Sequence, residues 1–302
     1  MTDVFLTGAT GFAGTAVLAE LVRSGRSVTA LAQAPAELPG ARVVVGTLGL
    51  LGELEDAIAG CDGIVHLASG RTADRERVVY EDILGTGDLI DLWKRGPFVY
   101  ASTTTVHGVP RGVISSDTPV HIEDWYDCGK AVNEFQLREA AGRDGRGRGI
   151  SLRPTLFFGR SSGVPDRQYL AWFLGHALSG HALIFDSEEA MATSGAAFVG
   201  LGDFGRAVVA ALDLEASGAF PIASGFVTWR DLMDAVNRHA GGSGRCVVRP
   251  NGPSGPDEIR AAHSRTELDD SAFRSLTGWQ PRESLDELVA AFVAGEREAG
   301  RA

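Results

Sequence analysis

Hydrophobic and polar positions change period repeatedly along this chain. Val4-Phe5-Leu6-Thr7 is a short apolar run ending in a glycine turn, and residues 13–23 follow with Val17, Leu18, Leu21 and Val22 recurring on one helical face. Strand signals return at residues 27–32, 43–45 and 63–68, with a short helical stretch at 53–59 between the last two. A helical pattern over about 75–94, a strand at 98–102, a helix at 129–141 and a strand at 150–157 continue the series. Its strands are near-continuous apolar runs, which suits strands covered on both faces. The repetition predicts an α/β fold, a Rossmann-type doubly wound parallel sheet with helices on each side. Beyond residue 159 the alternation weakens: 169–178 and 204–214 read as helices, while the Gly/Arg-rich stretch 142–149 and the Gly/Pro-rich span 241–256 read as loops.

Composition narrows the function. A net charge of −11 over 302 residues leaves no basic surface to neutralise phosphates, so neither nucleic acid nor an anionic membrane is expected as partner. Cys61, Cys128 and Cys246 are scattered, without disulfide or metal-ligand spacing, which fits a reducing compartment and predicts no metal site. The first residues run directly into a strand, and no apolar run is long enough to span a bilayer. A cytoplasmic protein with a small-molecule substrate is the expectation. Only two lysines occur, Lys94 and Lys130, which makes the position of each informative.

Three groups of residues carry chemistry. Thr7-Gly8-Ala9-Thr10-Gly11-Phe12-Ala13-Gly14 spaces three glycines between a strand and a helix. Such a turn brings backbone N–H groups against a pyrophosphate at the positive end of the helix, where side chains would block the approach. Tyr126-Asp127-Cys128-Gly129-Lys130 sets a phenol and an ammonium at i and i+4 on one helical face. The lysine's charge favours phenolate, drawing a tyrosine from about 10 toward working pH for proton transfer at a substrate oxygen. The strand at 98–102 runs into Ser102-Thr103-Thr104-Thr105, hydroxyls that can meet a substrate carbonyl beside the tyrosine.

These motifs, with Asp62-Gly63-Ile64-Val65-His66-Leu67-Ala68, Gly85-Thr86, Val106-His107-Gly108, Leu152-Arg153-Pro154 to Gly159 and Leu276-Thr277-Gly278-Trp279-Gln280-Pro281, resemble the extended short-chain dehydrogenase/reductases, also called the epimerase/dehydratase family. The resemblance covers nearly the whole chain. It implies a dinucleotide-binding domain at 1–158 and a small, mainly substrate-binding lobe at 159–302, with about 196–224 returning to the core. It also implies hydride transfer at nicotinamide, with Tyr126 as general acid/base, Lys130 holding the ribose and tuning Tyr126, and Thr103 as the catalytic hydroxyl, five residues before the turn glycine. The implied cofactor contacts are Thr7, Gly8, Thr10, Gly11, Phe12, Ala13, Gly14, Gln33, Leu48, Leu67, Ala68, Ser69, Lys130 and Pro154. His107, Phe157 and Trp172 are the candidate substrate contacts. Relatives often form homodimers through helices flanking the active-site strand, which makes a homodimer the implied assembly.

The departures from the family pattern shape the remaining expectations. Asp82 stands where relatives have an active-site asparagine, placing negative charge near Lys130 if the helix sits as usual. Ala32 and Gln33, at the end of the second strand, offer no carboxylate for a ribose 2′-hydroxyl. NADP(H) is therefore favoured over NAD(H), with Arg42 as a candidate partner for the 2′-phosphate. Thr47 replaces the aspartate that often contacts adenine. If Asp203 is the family's turn aspartate, Ala196-Ala197 occupy the place of the Arg-Asp pair whose arginine grips a diphosphate. The leading expectation is thus an NAD(P)H-dependent ketoreductase acting on a largely uncharged compound of specialised metabolism, such as antibiotic biosynthesis. A nucleotide-sugar epimerase, dehydratase or ketoreductase using Arg153, Arg160 or Arg167, and a non-catalytic dinucleotide sensor, are the alternatives.

Overall fold

The computed structural model describes residues 2–70, 72–108, 112–143, 146–161, 169–262 and 264–301. The first half runs β1 (Asp3–Thr7), α1 (Gly14–Arg23), β2 (Ser27–Ala32), β3 (Ala41–Val45), α2 (Glu55–Ala59), β4 (Gly63–His66), α3 (Arg75–Arg77), α4 (Gly85–Leu92), β5 (Pro97–Ala101), β6 (Gly112–Ile114) and α5 (Trp125–Ala141). The second half runs β7 (Arg148–Pro154), β8 (Leu156–Phe158), α6 (Tyr169–Leu178), β9 (Ala182–Phe185), α7 (Glu188–Thr193), β10 (Gly195–Gly200) and α8 (Leu201–Leu212). It ends with β11 (Gly218–Ile222), β12 (Gly225–Thr228), α9 (Trp229–Ala240), β13 (Arg245–Val248), β14 (Glu258–Arg260), β15 (Arg265–Leu268), α10 (Ser271–Thr277) and α11 (Leu285–Glu298).

Among the described residues, seven strands form one parallel sheet in the order β11-β7-β5-β4-β1-β2-β3. The chain builds outward from β1 in one direction through β2 and β3, then in the other through β4, β5, β7 and β11. The switch between β1 and β4 opens a crevice at their carboxyl ends, where ligands bind in such sheets. Val4, Leu6, Val65, Val99, Ile150 and Leu152 are buried on one face against α1 and α8, and Phe5, Ile64, Phe98 and Tyr100 are buried on the other. That two-sided burial is what the unbroken apolar runs encode.

A second sheet has the path β12-β10-β15-β6 with β8 beside β10, and a third pairs β13, β9 and β14. Of residues 196–224, α8 packs on α1 and β11 closes the large sheet, whereas β10 belongs to the second sheet. Three local readings need correction. The span 241–256 contains β13, because Arg245–Val248 finds a parallel partner in β9. Residues 48–54 form a 3₁₀ stretch before α2, so the helical signal at 53–59 begins earlier and is interrupted. The pattern over 75–94 is not one α-helix: Val78–Leu84 is π-helical between α3 and α4.

Candidate active site

The glycine turn closes through Gly11 N–H donating to the Gly8 carbonyl at 2.9 Å. Gly8 has φ 73°, and a Cβ there would stand 2.7 Å from the Ala68 nitrogen, while one on Gly14 would overlap the Gly8 carbonyl oxygen. Both positions therefore admit only glycine without rearrangement. Thr7 is fully buried and works from behind. Its hydroxyl meets His66 Nδ1 at 2.6 Å and accepts from Ala68 N–H at 3.2 Å, tying β1 to the end of β4. The result is a cradle of backbone at the start of α1, fit for a dinucleotide pyrophosphate.

Tyr126 and Lys130 enter from α5, which begins at Trp125 because the Asp124 side chain caps it by accepting from Asp127 N–H. Lys130 is buried and donates to the Ala101 carbonyl at 2.7 Å, which fixes its ammonium 5.8 Å from the Tyr126 ring centroid and 4.9 Å from that of Tyr100. Tyr100 is no rival acid/base. Burial pushes its phenol well above the ordinary value, and Asn133 donates to its oxygen at 3.1 Å. Thr103 caps the short 3₁₀ turn Thr104–His107, and the buried Ser102 hydroxyl has no hydrogen-bond partner among the described residues.

One cleft of about 900 Å³ joins these parts. Gly8, Gly11, Phe12, Ala13, Gly14, Leu67 and Ser69 line one end, Thr103, Tyr126, Lys130 and Pro154 the middle. Phe157 stands beside Phe12, and the far end has Tyr169, Trp172, Phe173, Leu183, Ala196 and Trp229. Tyr169 stacks on Trp229 at 5.6 Å and an interplanar angle of 7°, while Phe157 meets Phe12 and Phe204 edge-on.

Several of the expected residues do not line this cleft. Thr10 and Gln33 are exposed and outside the cleft lining, and Leu48 packs against Gly85. His107 is buried behind the wall, with Nδ1 near the Pro119 carbonyl at 3.0 Å and Nε2 near Arg153 at 3.3 Å. Arg153 is itself held by Glu134 at 2.6 Å, and Arg160 pairs with Glu298, so neither reaches a diphosphate in this arrangement. Arg167 lies outside the described residues. Arg42 is also misplaced for a 2′-phosphate. Parallel register sets it beside Thr29, three residues or roughly 10 Å before the strand end, where it donates to the Thr29 hydroxyl. The Asp82 carboxylate, on the π-helical turn, accepts from Ser69 Oγ and Gly70 N–H at 3.2 and 3.0 Å and braces the loop after β4. Asp203 is the residue that anchors the approach to α11, accepting from Ser224 Oγ and from Arg282 and Glu283 N–H.

Sequence reasoning missed Asn133, whose side-chain amide nitrogen lies within hydrogen-bond distance of the Asp82 carbonyl and the Thr86 and Tyr100 hydroxyls and so docks α5 on the π-helical turn. Its place one turn past Lys130 was the available signal. It also passed over Tyr169, Trp229, Arg260, Ser264 and Thr266, which line the far cleft. His66, wholly buried between Thr7 and Thr86, has its imidazole pulled down to about 3 by desolvation and by the charge of Lys130. The folded state holds it neutral while the unfolded chain protonates it near the ordinary value of 6.5. Its contribution is therefore complete above that pH and is lost as pH falls from 6.5 toward 3. Denaturant titrations at pH 7 and pH 5 are expected to differ by about 2 kcal/mol from this group, and H66Q should flatten that slope.

Comparison with known proteins bears on the family and the fold. A sequence profile of the NAD dependent epimerase/dehydratase family matches residues 4–223. Sterol-4-alpha-carboxylate 3-dehydrogenase, decarboxylating, of Dictyostelium discoideum is 27% identical over 185 residues, 55% of this chain and 56% of that protein. The 2-alkyl-3-oxoalkanoate reductase of Shewanella oneidensis is 28% identical over 176 residues, 53% and 46% of the respective chains. The matches span about half the length of these relatives. The UDP-Glc/GlcNAc 4-epimerase structure from Campylobacter jejuni superposes with a TM-score of 0.81 at 18% identity, over 99% of this chain and 100% of that one, a likeness of fold. Among the described residues no helix is long and apolar enough to cross a membrane.

Proposed function

The chain belongs to the NAD dependent epimerase/dehydratase family, and from that premise we propose that it is an NAD(P)H-dependent ketoreductase for a small, largely uncharged carbonyl compound. The observation that carries this reading is the far end of the cleft, walled by Tyr169, Trp172, Phe173 and Trp229 with Ala196 among them. Such a wall suits an aromatic or aliphatic ring; Ala196 offers a diphosphate no guanidinium, and the one that lines this end, Arg260, is paired with Asp186 at 2.6 Å. The relatives named as a reductase and a dehydrogenase of oxoalkanoate and sterol substrates lend support.

Bound on the glycine cradle, a reduced nicotinamide supplies the hydride for the carbonyl carbon. Tyr126 gives its phenolic proton to the carbonyl oxygen as that oxygen gains charge, and Thr103 hydrogen-bonds the same atom. Lys130, fixed by the Ala101 carbonyl, keeps a positive charge beside the tyrosine throughout. The neutral Ala32–Gln33 end puts no carboxylate against a 2′-phosphate, so NADPH is the cofactor we favour. With Arg42 held at Thr29, the preference rests on absent repulsion.

Fluorescence titration with NADPH and NADH, followed by a cofactor-oxidation screen, tests the proposal. The screen sets aryl ketones such as α-tetralone against 3-oxo esters and nucleotide 4-keto sugars. Turnover of the uncharged ketones is expected. Turnover confined to nucleotide sugars would replace this reading with the sugar-modifying one, and tight binding with no turnover would favour a dinucleotide sensor.

A further inference from the structure

At the cleft wall a short hydrogen-bonded chain leads from Thr103 through the exposed Thr105 to the buried Asp127. The Thr103 hydroxyl lies 3.0 Å from that of Thr105 and accepts from Thr105 N–H at 3.2 Å. The Thr105 hydroxyl in turn donates to Asp127 Oδ1 at 2.5 Å. Asp127 is buried, immediately after Tyr126 on α5, and nothing in the family resemblance assigns it a role.

We propose that Asp127 is a positioning residue which sets, through Thr105, whether the Thr103 hydroxyl presents the cleft with a proton or a lone pair. Where the bonds of this chain are kept, the count of hydrogens couples the three groups. With Asp127 ionised, Thr105 gives its single hydroxyl proton to the carboxylate and accepts from Thr103. The Thr103 proton then points away from the cleft, and its remaining lone pair can only receive, as an alcohol substrate requires. With Asp127 protonated, its own O–H donates to Thr105, Thr105 donates to Thr103, and both Thr103 lone pairs are filled. Its O–H is then free to donate to a carbonyl oxygen. One buried proton thus matches the site to ketone or to alcohol, and no atom beyond that proton is exchanged.

The surroundings shift Asp127 toward its protonated form. Burial, with Asp124 and Glu123 adding negative charge nearby, raises its carboxyl above the ordinary value, while the bonds from Thr105 and the Glu123 backbone oppose the rise. Among the charged groups on the elements packed around α5, Arg75 lies over the Trp125 ring at 5.5 Å. Arg77 pairs with Glu81, Asp82 faces Ser69 and Gly70, and Asp88 and Asp91 are exposed. His107 contacts Pro119 and Arg153, Arg153 holds Glu134, Arg148 pairs with Glu215, and Lys130 donates to Ala101.

The inference rests on the proposed roles of Thr103 and Tyr126, so its test separates the two. With the full chain, NADPH and α-tetralone, kcat/KM is measured from about pH 5 to pH 9 for wild type, D127N, T105V, T105S and Y126F. Wild type is expected to lose about tenfold per pH unit above the Asp127 ionisation, before the tyrosine's own alkaline limb. D127N, which cannot ionise, and T105V, which cuts the chain, should both lack that limb. T105S should restore it. A D127N profile equal to wild type, with Y126F inactive, overturns this inference alone. Full activity of Y126F, or no turnover of the ketone by wild type, overturns the proposed function and this inference with it.

Discussion

Replacing Tyr126 with phenylalanine is expected to lower carbonyl turnover about a thousandfold while leaving nucleotide affinity unchanged. The substitution removes one oxygen and keeps the ring, so the packing of α5 is preserved. The loss should fall on kcat, because the missing proton is needed only as the carbonyl oxygen gains charge. No neighbouring group is poised to take over. Tyr100 is buried with its phenol raised well above the ordinary value and its oxygen engaged by Asn133. His66 is neutral and locked between two threonines, and His107 faces Pro119 and Arg153. Turnover and cofactor titration on one preparation check both halves. Activity within about tenfold of wild type would remove Tyr126 from proton transfer.

Gly14→Ala is expected to weaken NADPH binding on the order of a hundredfold, close to 3 kcal/mol. The added methyl would coincide with the Gly8 carbonyl oxygen and crowd the Gly8 and Ala9 carbonyl carbons. All of these are backbone atoms, which cannot rotate aside. Either α1 must withdraw from the turn or the turn must open, and both movements misalign the N–H groups that face the pyrophosphate. Gly175→Ala is the matched control. It lies within α6, where an added Cβ meets nothing within 4 Å, so it should leave binding unchanged and gain up to about 1 kcal/mol of stability. Equal cofactor affinity in Gly14→Ala and wild type would mean that the glycine turn is not the binding cradle.

What the sequence reveals here depends on how far apart the interacting residues lie. The glycine turn, the strands of the large sheet and the Tyr126–Lys130 pair are written in local spacing, and the structure gathers them at the switch between β1 and β4. Features set by distant pairing were not legible. Arg42 looked available until the β2–β3 register put it beside Thr29, and β13 became visible only once β9 was there to receive it. The Asp82 carboxylate meets Ser69 from the π-helical turn Val78–Leu84, a one-residue change in winding that apolar periodicity does not resolve. His107 sits behind the wall because Arg153, fixed by Glu134 on α5, holds its ring there. The far wall joins residues from α6, β9, β10 and α9 with Arg260, Ala261 and Ala262, so an aromatic stripe on α6 alone could hint at a cavity but not enclose one. The Thr103–Thr105–Asp127 chain joins a strand end to a helix start and needs both in place.

The central claim is that the cleft unites a reduced nicotinamide and an uncharged ketone under Tyr126. The most direct test follows the label from NADPH deuterated at C4 while wild-type protein turns over α-tetralone, with the product read by mass spectrometry. Deuterium at the new carbinol carbon, matched mole for mole by oxidised cofactor, is the predicted result. No label from any uncharged ketone, together with interconversion of a nucleotide sugar without net cofactor oxidation, would contradict it.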